Sequence, residues 1–599
     1  MARCTERGGR WREYAEGVEC ARQIAARYNA PYLHSHNTVN QTKGEQTKKK
    51  FLLGVWLFLS TSLGLAQMPE KTRQEVVQMP EETRQEVAQA IQQGNYTQAV
   101  QLLQPWAERG DAWAQYRLGV MFFHGQGITQ DYAQAQKWWE KAAARGDANA
   151  QFSLGVMCFH GQGVMQDYAQ AQKWWEKAAA QGDVNAQFSL GVMYEYGQGV
   201  AQNDAKAREW MEKAAAQGHV NAQFSLGVRY YTGQGVTQNY AEAHKWWEEA
   251  ATQGDAGAQY NLGVMYRDGR GVAQNDVKAR EWMEKAAAQG FVEAQTNLGS
   301  MYHDGQGVTQ DYVKAREWYE QAAAQGHAKA QYNLGLMYKD GRGGVAQDYA
   351  QAQKWWENAA AQGLVEAQFN LGLMYSNGHG VAQNEAKARE WWEQAAAQGH
   401  AGAQNNLGLM YDRGRSVKQD YAKAREWWEK AAVQGYAQAQ FNLGMMYDNG
   451  QGVAQDYAKA REWYERAAAQ GDTGAQNNLG VMYRDGQGVA QDYAKAREWW
   501  EKAAAQGEAG AQYNLGLMYH DGRGVAQNDT KAREWYEQAA AQGNAGAQYN
   551  LGVMYRDGRG GAQNDAKARE WLEKAAAQTE NVENAEAVRK ARQALEEMR

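Results

Sequence analysis

The chain has 599 residues, of which 44% are hydrophobic and 22% charged, and its net charge is −6. Residues 1–50 hold 10 basic and 5 acidic side chains, so the remainder carries a net charge of −11. This acidic remainder excludes nucleic acid as an expected partner, because phosphate binding requires a concentrated positive surface.

Residues 48–66, "KKKFLLGVWLFLSTSLGLA", combine three lysines, an apolar run and small residues. This order predicts a Sec signal peptide cleaved after Ala66, with export to the periplasm or secretion. Because 47 residues precede it, we predict that residues 1–47 are a disordered extension, of which residues 1 to roughly 38 lie upstream of the true translation start near Val39. The alternative is an uncleaved segment that anchors the chain, although the run is short for a membrane span, and membrane contact is expected only in that case.

Cysteine usage agrees with a chain without disulfides. Cys4 and Cys20 precede the signal segment, so the mature chain keeps Cys158 alone and cannot form an intramolecular disulfide.

Two copies of an 11-residue sequence follow the signal, "QMPEKTRQEVV" from Gln67 and "QMPEETRQEVA" from Gln78. Proline at a helix start followed by alternating charge predicts a charged helical spacer over residues 67–94. Residues 95–109, "NYTQAVQLLQPWAER", then predict an orphan helix that starts an array running to residue 578.

A Leu-Gly pair defines the array, and its period is 36 residues except for one of 37. The single insertion is Gly343 or Gly344, in a loop. A period of this length predicts a solenoid, in which each repeat buries its apolar face only against its neighbours. The thirteen leucines are Leu118, Leu154, Leu190, Leu226, Leu262, Leu298, Leu334, Leu371, Leu407, Leu443, Leu479, Leu515 and Leu551.

The fifth repeat, around Leu262, predicts one helical hairpin per repeat. Helix A is expected over Ala256–Arg267, with Leu262 and Tyr266 on its core face and Gly263 permitting close approach of another helix. Gly269 and Gly271 are expected at positive φ, ending helix A, and Val272 is expected to hold the loop against the core.

Helix B of the same repeat is expected over Asp276–Gln289, capped by Asn275 and closed by Gly290. Its core face is expected to carry Ala279, Trp282, Met283, Ala286 and Ala287, and ion pairs are expected for Arg280 with Glu284 and for Glu281 with Lys285. In Trp-Trp pairs such as Trp138 and Trp139, the invariant first member is predicted to be core and the variable second member only partly buried.

The last residues, 579–599, are charged with a thin apolar stripe and predict a C-terminal capping helix, since solenoids need polar ends.

The pattern A-x-x-x-L-G-x-x-Y, G-x-G-V, K-A-x-x-W-x-x-x-A-A-x-x-G, from about Ala112 to Ala577, resembles the Sel-one-like repeat family, relatives of the tetratricopeptide repeats. The resemblance implies an all-α, right-handed superhelical α-solenoid of thirteen antiparallel helix pairs, with a concave groove that holds other proteins. It also implies that the residue five positions after each leucine faces this groove, and the residue two before it varies in the same way. The partner-binding residues predicted from these two series are Tyr116, Phe123, Phe152, Phe159, Phe188, Tyr231, Tyr260, Arg267, His303, Lys339, Arg484 and Arg556.

No catalytic motif interrupts the array. The chain has no H-E-x-x-H and no G-x-x-x-x-G-K-[ST], and "DGRGVAQND" lacks the ligand spacing of a calcium loop, so we expect no catalytic, metal or cofactor residues. The chain is therefore predicted to be an exported, non-enzymatic scaffold that binds a protein or peptide in the periplasm or at the bacterial surface. The alternatives are a cell-wall or β-lactam hydrolase, as linked to cysteine-rich relatives, and a membrane-anchored adaptor.

Overall fold

The computed structural model describes residues 78–579 and 584–598. The upstream extension, the signal segment and the first half of the spacer lie outside these residues. Within them the chain forms 29 helices and no strand, and consecutive helices pair within each of the two compact units given below. The predicted all-α solenoid of helix pairs is confirmed. The chain divides into two compact units, residues 1–310 and 311–599.

Helices α1 to α13 belong to the N-terminal unit. They are α1 Glu81–Gln92, α2 Tyr96–Arg109, α3 Ala112–His124, α4 Tyr132–Ala144, α5 Ala148–His160, α6 Tyr168–Ala180, α7 Val184–Tyr196, α8 Asp204–Ala216, α9 Val220–Thr232, α10 Tyr240–Thr252, α11 Ala256–Asp268, α12 Asp276–Ala288 and α13 Val292–Asp304.

Helices α14 to α29 belong to the C-terminal unit. They are α14 Tyr312–Ala324, α15 Ala328–Asp340, α16 Tyr349–Ala361, α17 Val365–Asn377, α18 Glu385–Ala397, α19 Ala401–Arg413, α20 Tyr421–Val433, α21 Ala437–Asn449, α22 Tyr457–Ala468, α23 Thr473–Asp485, α24 Tyr493–Ala505, α25 Ala509–Asp521, α26 Asp529–Ala541, α27 Ala545–Asp557, α28 Asp565–Ala576 and α29 Ala585–Glu597.

The local signals of the fifth repeat act as expected, and both helix boundaries agree within one residue. Gly269 and Gly271 have φ values of 66° and 73°, and Gly290 has φ 86°. The Asn275 side chain accepts a hydrogen bond from the Lys278 N–H at 3.0 Å. Residues within each repeat therefore set its helix boundaries, because glycine ends helix A and Asx starts helix B.

Glycine beside the repeat leucine sets the distance between the two helices of a hairpin. A Cβ on Gly263 would lie 2.6 Å from Met283 Cγ, which no real side chain tolerates. Met283, which covers this glycine, is the second member of the pair that corresponds to Trp138 and Trp139 in the first repeat. Its large side chain fills the space that the missing Cβ leaves.

The prediction that the first member of each pair is core and the second only partly buried was wrong, except that Trp138 in the first repeat is also buried. Met283 is fully buried, whereas Trp282 is half-buried and packs on the preceding helix pair. The second member is at most 4% exposed in every repeat, from Trp139 to Leu572. The first member lies about 100° around helix B, at an edge where Lys285 Nζ approaches the Trp282 ring to 3.8 Å. Of the two predicted ion pairs, Arg280–Glu284 forms at 3.7 Å.

A buried glutamine three residues before the repeat leucine joins three helices, except in the first repeat, where Gln115 Oε1 has no hydrogen-bond partner among the described residues. In the fifth repeat, Gln259 Nε2 donates to the carbonyl of Ala251 on α10 at 3.1 Å, and its Oε1 accepts from Gln289, just after α12, at 2.8 Å. The equivalent glutamine is buried in all thirteen repeats. Composition did not predict this link, because glutamine is mostly exposed and a buried amide is stable only when its partners are in place.

Short helices cover the two ends. Val87 and Ala90 of α1 are buried against α2 and α3, and the Met79 N–H donates to Asp111 Oδ2 at 2.7 Å. The described part of the segment interpreted as a spacer thus packs on the first repeat. At the other end Ala591 of α29 packs on Leu572 of α28.

One buried ionic group interrupts the pattern between repeats 3 and 4. Arg229 stands where the other twelve repeats have methionine, and its side chain is 2% exposed. It pairs with Glu195 of the preceding repeat at 3.1 Å and with Asp204 at 3.4 Å. Burial raises the pKa of the Glu195 carboxyl, while the Arg229 charge opposes that rise. Arg229 and Glu195, which both depart from the repeat pattern, therefore compensate each other's charge.

We predict that Arg229→Met alone destabilises α7–α9 by about 3 kcal/mol, because it leaves Glu195 buried without a cation. The double variant Glu195→Phe, Arg229→Met recreates the phenylalanine–methionine combination of the two preceding junctions and should recover at least the original stability. Hydrogen exchange across α7–α9 measures both effects. Equal losses in the single and double variants would show that the ion pair is not the cause.

Candidate functional site

The aromatic residues five positions after the leucine are packing residues of their own repeat. The Phe123 ring lies 5.1 Å from the Tyr132 ring and 5.2 Å from the Trp139 ring, between centroids, and Phe123 is only 5% exposed. Phe159 packs in the same way on Tyr168 and Trp175. The expectation that Phe123 faces the groove was wrong, because that position faces helix B.

Tyr231 occupies the equivalent position in repeat 4. Its ring lies 5.2 Å from that of Trp247, and its hydroxyl accepts a hydrogen bond from Arg270 Nη1 at 2.6 Å. Burial is the main cause that raises the pKa of Tyr231. This side chain therefore joins repeat 4 to the loop of repeat 5.

Four basic members of the same series, and His303, lie beside the aspartate that follows them. The closest nitrogen–oxygen distances are 2.8 Å for Arg267–Asp268, 2.7 Å for His303–Asp304, 3.2 Å for Lys339–Asp340, 2.6 Å for Arg484–Asp485 and 2.8 Å for Arg556–Asp557. These charges are largely compensated within the chain. They suit the rim of an interface better than its centre.

Residues two positions before the leucine lie between consecutive A helices. Tyr116, Phe152, Phe188 and Tyr260 are all half-buried. The Phe188 ring stacks on His219 of the next repeat at 4.5 Å, and the Tyr260 ring lies 5.1 Å from Phe291. The Tyr260 hydroxyl also accepts from Asn297 Nδ2 at 3.3 Å.

Their contacts define a surface that sequence reasoning missed. We call the ridge the set of residues seven and two positions before each repeat leucine. The residue at minus seven starts helix A and meets the residue at minus two of the preceding repeat, as Phe369 meets His400 at 4.3 Å. Ridge residues are therefore shared between neighbouring repeats, and most are partly open to solvent, with Asp111, Thr296 and Asn405 buried.

The first ridge position is also the N-cap of helix A. Aspartate caps helix A in repeats 1, 2, 3, 5 and 11, for example through Asp255 and the Ala258 N–H at 2.7 Å. In repeats 6 to 10 the position is Phe291, His327, Leu364, His400 and Tyr436, and of these only His400 makes a side-chain cap bond.

An absent cap costs a helix about 1 kcal/mol. Losing it repeatedly in successive repeats indicates that the ridge there meets a requirement other than helix stability. The signal was visible in the sequence as an interruption of the aspartate series.

Reactive groups are sparse in the part of the chain that the structure describes. No group of three or more His, Cys, Asp or Glu side chains there is arranged to hold a metal ion. Cys158 is half-buried, and burial raises the pKa of its thiol. Across residues 78–579 and 584–598, no helix combines the length and the apolar character needed to cross a membrane.

Comparison with known families agrees with the hairpin geometry. The model described as "Sel1 repeat" matches fourteen segments of the chain. The chain belongs to the Sel1 repeat family. The matched residues are 89–111, 114–147, 148–183, 184–219, 220–255, 256–291, 292–327, 328–364, 365–400, 401–436, 437–472, 473–508, 509–544 and 545–579.

Solved structures include other Sel1 repeat proteins. The chain is 34% identical to a protective antigen present in uropathogenic Escherichia coli strains that displays this fold, with a TM-score of 0.64, covering 82% of this chain and 97% of that one. It is 35% identical to a Sel1 repeat protein from Oxalobacter formigenes, covering 53% of this chain and 90% of that one, with a TM-score of 0.43. No curated protein matches the chain.

The family match confirms the resemblance and extends it by one partial repeat, since residues 89–111 include helix α2. A Sel1 repeat solenoid is typical of non-enzymatic scaffolds that hold other proteins.

We predict that Phe123→Ser destabilises the first repeats by about 3 to 5 kcal/mol, because it removes a buried ring from between α3 and α4. Met165→Ser is the matched control, since Met165 is 91% exposed and its loss should change stability by less than about 0.5 kcal/mol. Hydrogen exchange in α3 and α4 distinguishes the two variants. Unchanged protection in Phe123→Ser would restore this residue as a candidate surface anchor.

Proposed function

We propose that this chain is an exported, non-enzymatic scaffold whose ridge binds an extended segment of a protein partner. The observation that carries the proposal is the run of Leu364, His400 and Tyr436 in positions where other repeats carry aspartate caps. The core residues are nearly the same in every repeat, and most of the other A helices begin with a side chain that caps them. The substituted side chains are apolar or aromatic, which are the residue types that anchor protein interfaces.

The arrangement also favours an elongated partner over a small substrate. Within each compact unit the ridge presents one or two side chains per repeat at regular intervals, so its contacts there are distributed over successive repeats. An enzyme instead requires different groups that converge on one reacting centre. The charged residues beside the ridge are already paired, so we expect them to influence the rate and selectivity of association more than its strength.

Export is supported by the residues that precede the array. The segment 48–66 has the order of a signal peptide. The 34% identical relative from uropathogenic Escherichia coli strains is a protective antigen, a property that favours a location outside the cytoplasm. We therefore place the scaffold in the periplasm or at the cell surface.

The export proposal predicts that the mature natural protein begins at Gln67. N-terminal sequencing and mass spectrometry of protein from fractionated cells would measure this. Recovery of the uncleaved segment in the membrane fraction would instead support an anchored adaptor. Peptides from residues 1–30 in the natural protein would contradict the upstream extension.

The ridge proposal predicts that Leu364→Asp and Tyr436→Asp both weaken partner binding without a matching loss of stability. Aspartate supplies the missing cap, so Tyr436→Asp should stabilise its A helix by up to about 1 kcal/mol, whereas in Leu364→Asp the loss of the half-buried leucine from the core of its repeat offsets this gain. Each should also weaken partner capture by about tenfold or more, because an anchor is replaced by a charge.

Crosslinking in living cells measures capture, and thermal unfolding of the purified variants measures stability. Val433→Asp is the control, because Val433 is 81% exposed and lies off the ridge. Normal capture by both ridge variants would place recognition on another surface, whereas a fall in all three variants would indicate a general effect of charge.

A further inference from the structure

Two histidines on the ridge perform a task that aspartate performs elsewhere. His219 Nδ1 accepts a hydrogen bond from the Ala222 N–H at 3.2 Å, and His400 Nδ1 accepts one from the Ala403 N–H at 3.1 Å. Only a neutral imidazole that carries its proton on Nε2 can accept at Nδ1. Both caps therefore exist only while these side chains are uncharged.

Each imidazole is also held by the preceding repeat. The His219 ring stacks on Phe188 at 4.5 Å with an interplanar angle of 27°, and the His400 ring lies 4.3 Å from Phe369 at 30°. At the second junction a Cβ on Gly402 would lie 3.1 Å from His400 Cε1 and 3.2 Å from Phe369, so little space surrounds the pair. The same cap and stack thus occur in both compact units of the chain.

The backbone of each histidine belongs to two helices at once. The His219 N–H donates to the carbonyl of Ala214 at the end of α8, and its carbonyl accepts from Gln223 at 3.0 Å and, as a second acceptor beside Nδ1, from Ala222 at 3.1 Å. His400 makes the equivalent bonds to Ala395 and Gln404. A disturbance of either side chain therefore acts on the turn that joins one repeat to the next.

Few charges near His219 could stabilise its protonated form. Asp183 and Asp255, in the neighbouring turns, are occupied as caps of α7 and α11. On the packed helices, Lys213 pairs with Glu209, Glu195 pairs with Arg229, and Glu249 accepts from Gln223. Burial alone lowers the pKa of His219, to about 4.

The surroundings of His400 differ by one carboxylate. Glu366 on α17 raises the pKa of His400, but burial outweighs it and the pKa remains below its ordinary value. On the helices that flank it, Glu393 pairs with Arg389 and Lys430 lies over Trp427. The adjoining ridge positions, Leu364 and Tyr436, carry no carboxylate.

We propose that His219 and His400 make two junctions between repeats sensitive to acid. On protonation each imidazole loses its cap bond and places a positive charge at the positive end of a helix dipole. The first turn of α9 or α19 then opens, and the ring leaves Phe188 or Phe369 exposed on the ridge. This device is independent of whether the ridge binds a partner.

The direction of the pH dependence follows from linkage. Because the closed junction keeps His219 neutral down to about pH 4, the open state takes up a proton first, from about pH 6.5 downward. Stability of the closed turn is complete above about pH 6.5 and falls progressively towards pH 4. At about pH 5, opening of the His219 turn should be about thirtyfold more frequent than at about pH 7.5.

Hydrogen exchange of the full chain at these two pH values tests the proposal. When each measured exchange rate is divided by the intrinsic rate of the same amide at that pH, the Ala222 and Ala403 amides should exchange faster in acid. The Ala547 amide is the internal reference, because Asn544 caps it at 2.9 Å and does not titrate. The variants His219→Asn and His400→Asn keep a cap without a titratable group.

The expected result is acid acceleration at both histidine-capped turns, none at Ala547, and loss of the acceleration at each turn that receives asparagine. Equal acid responses at Ala222, Ala403 and Ala547 in the unmodified chain would overturn the proposal. So would acceleration that persists in the asparagine variants, since another titrating group would then be responsible.

Discussion

The fold depends on the buried glutamine that links three consecutive helices in the repeats after the first. Gln259, for example, bonds to the carbonyl of Ala251 on one side and to Gln289 on the other. Hydrophobic contacts resist separation of helices but are not directional, whereas two hydrogen bonds to one buried amide also fix its orientation. Repetition of this link keeps each helix pair at the same setting relative to the next.

Helix packing determined in this way leaves few positions in each repeat that can change to suit a partner. The core positions are committed to packing over glycine, as with Gly263 and Met283, and helix B starts are committed to Asx caps. The ridge is different because its first position takes no part in the glutamine link and accepts side chains of several types, although Leu364 there packs partly on the core of its repeat. Aspartate, histidine, phenylalanine, leucine and tyrosine all occur there, so selection can act on binding at a cost limited to one helix cap.

Departures from the repeat fall into two physical kinds. Arg229 with Glu195 is a compensated pair, in which a charge introduced into the interior is met by another within 3.1 Å. Leu364 and Tyr436 are uncompensated, because the helices that they start gain no alternative side-chain cap. A compensated departure preserves the frame and needs no partner. An uncompensated one is the better indicator of function, and His219 and His400 lie between the two, since they keep the cap only while neutral.

The repeat period, the hairpin and its boundaries were determined by the sequence, because glycine and Asx act locally through backbone conformation and capping. Which face of helix B is core was not, since Trp282 and Met283 are both apolar neighbours and only the position of Gly263 against α12 decides between them. The same limit applied to the predicted groove. Phe123 and Tyr260 are similar in type, yet the first packs within its own repeat and the second between two A helices. Periodicity states which residues are equivalent, but the direction in which each equivalent set points depends on contacts between helices that are distant along the chain.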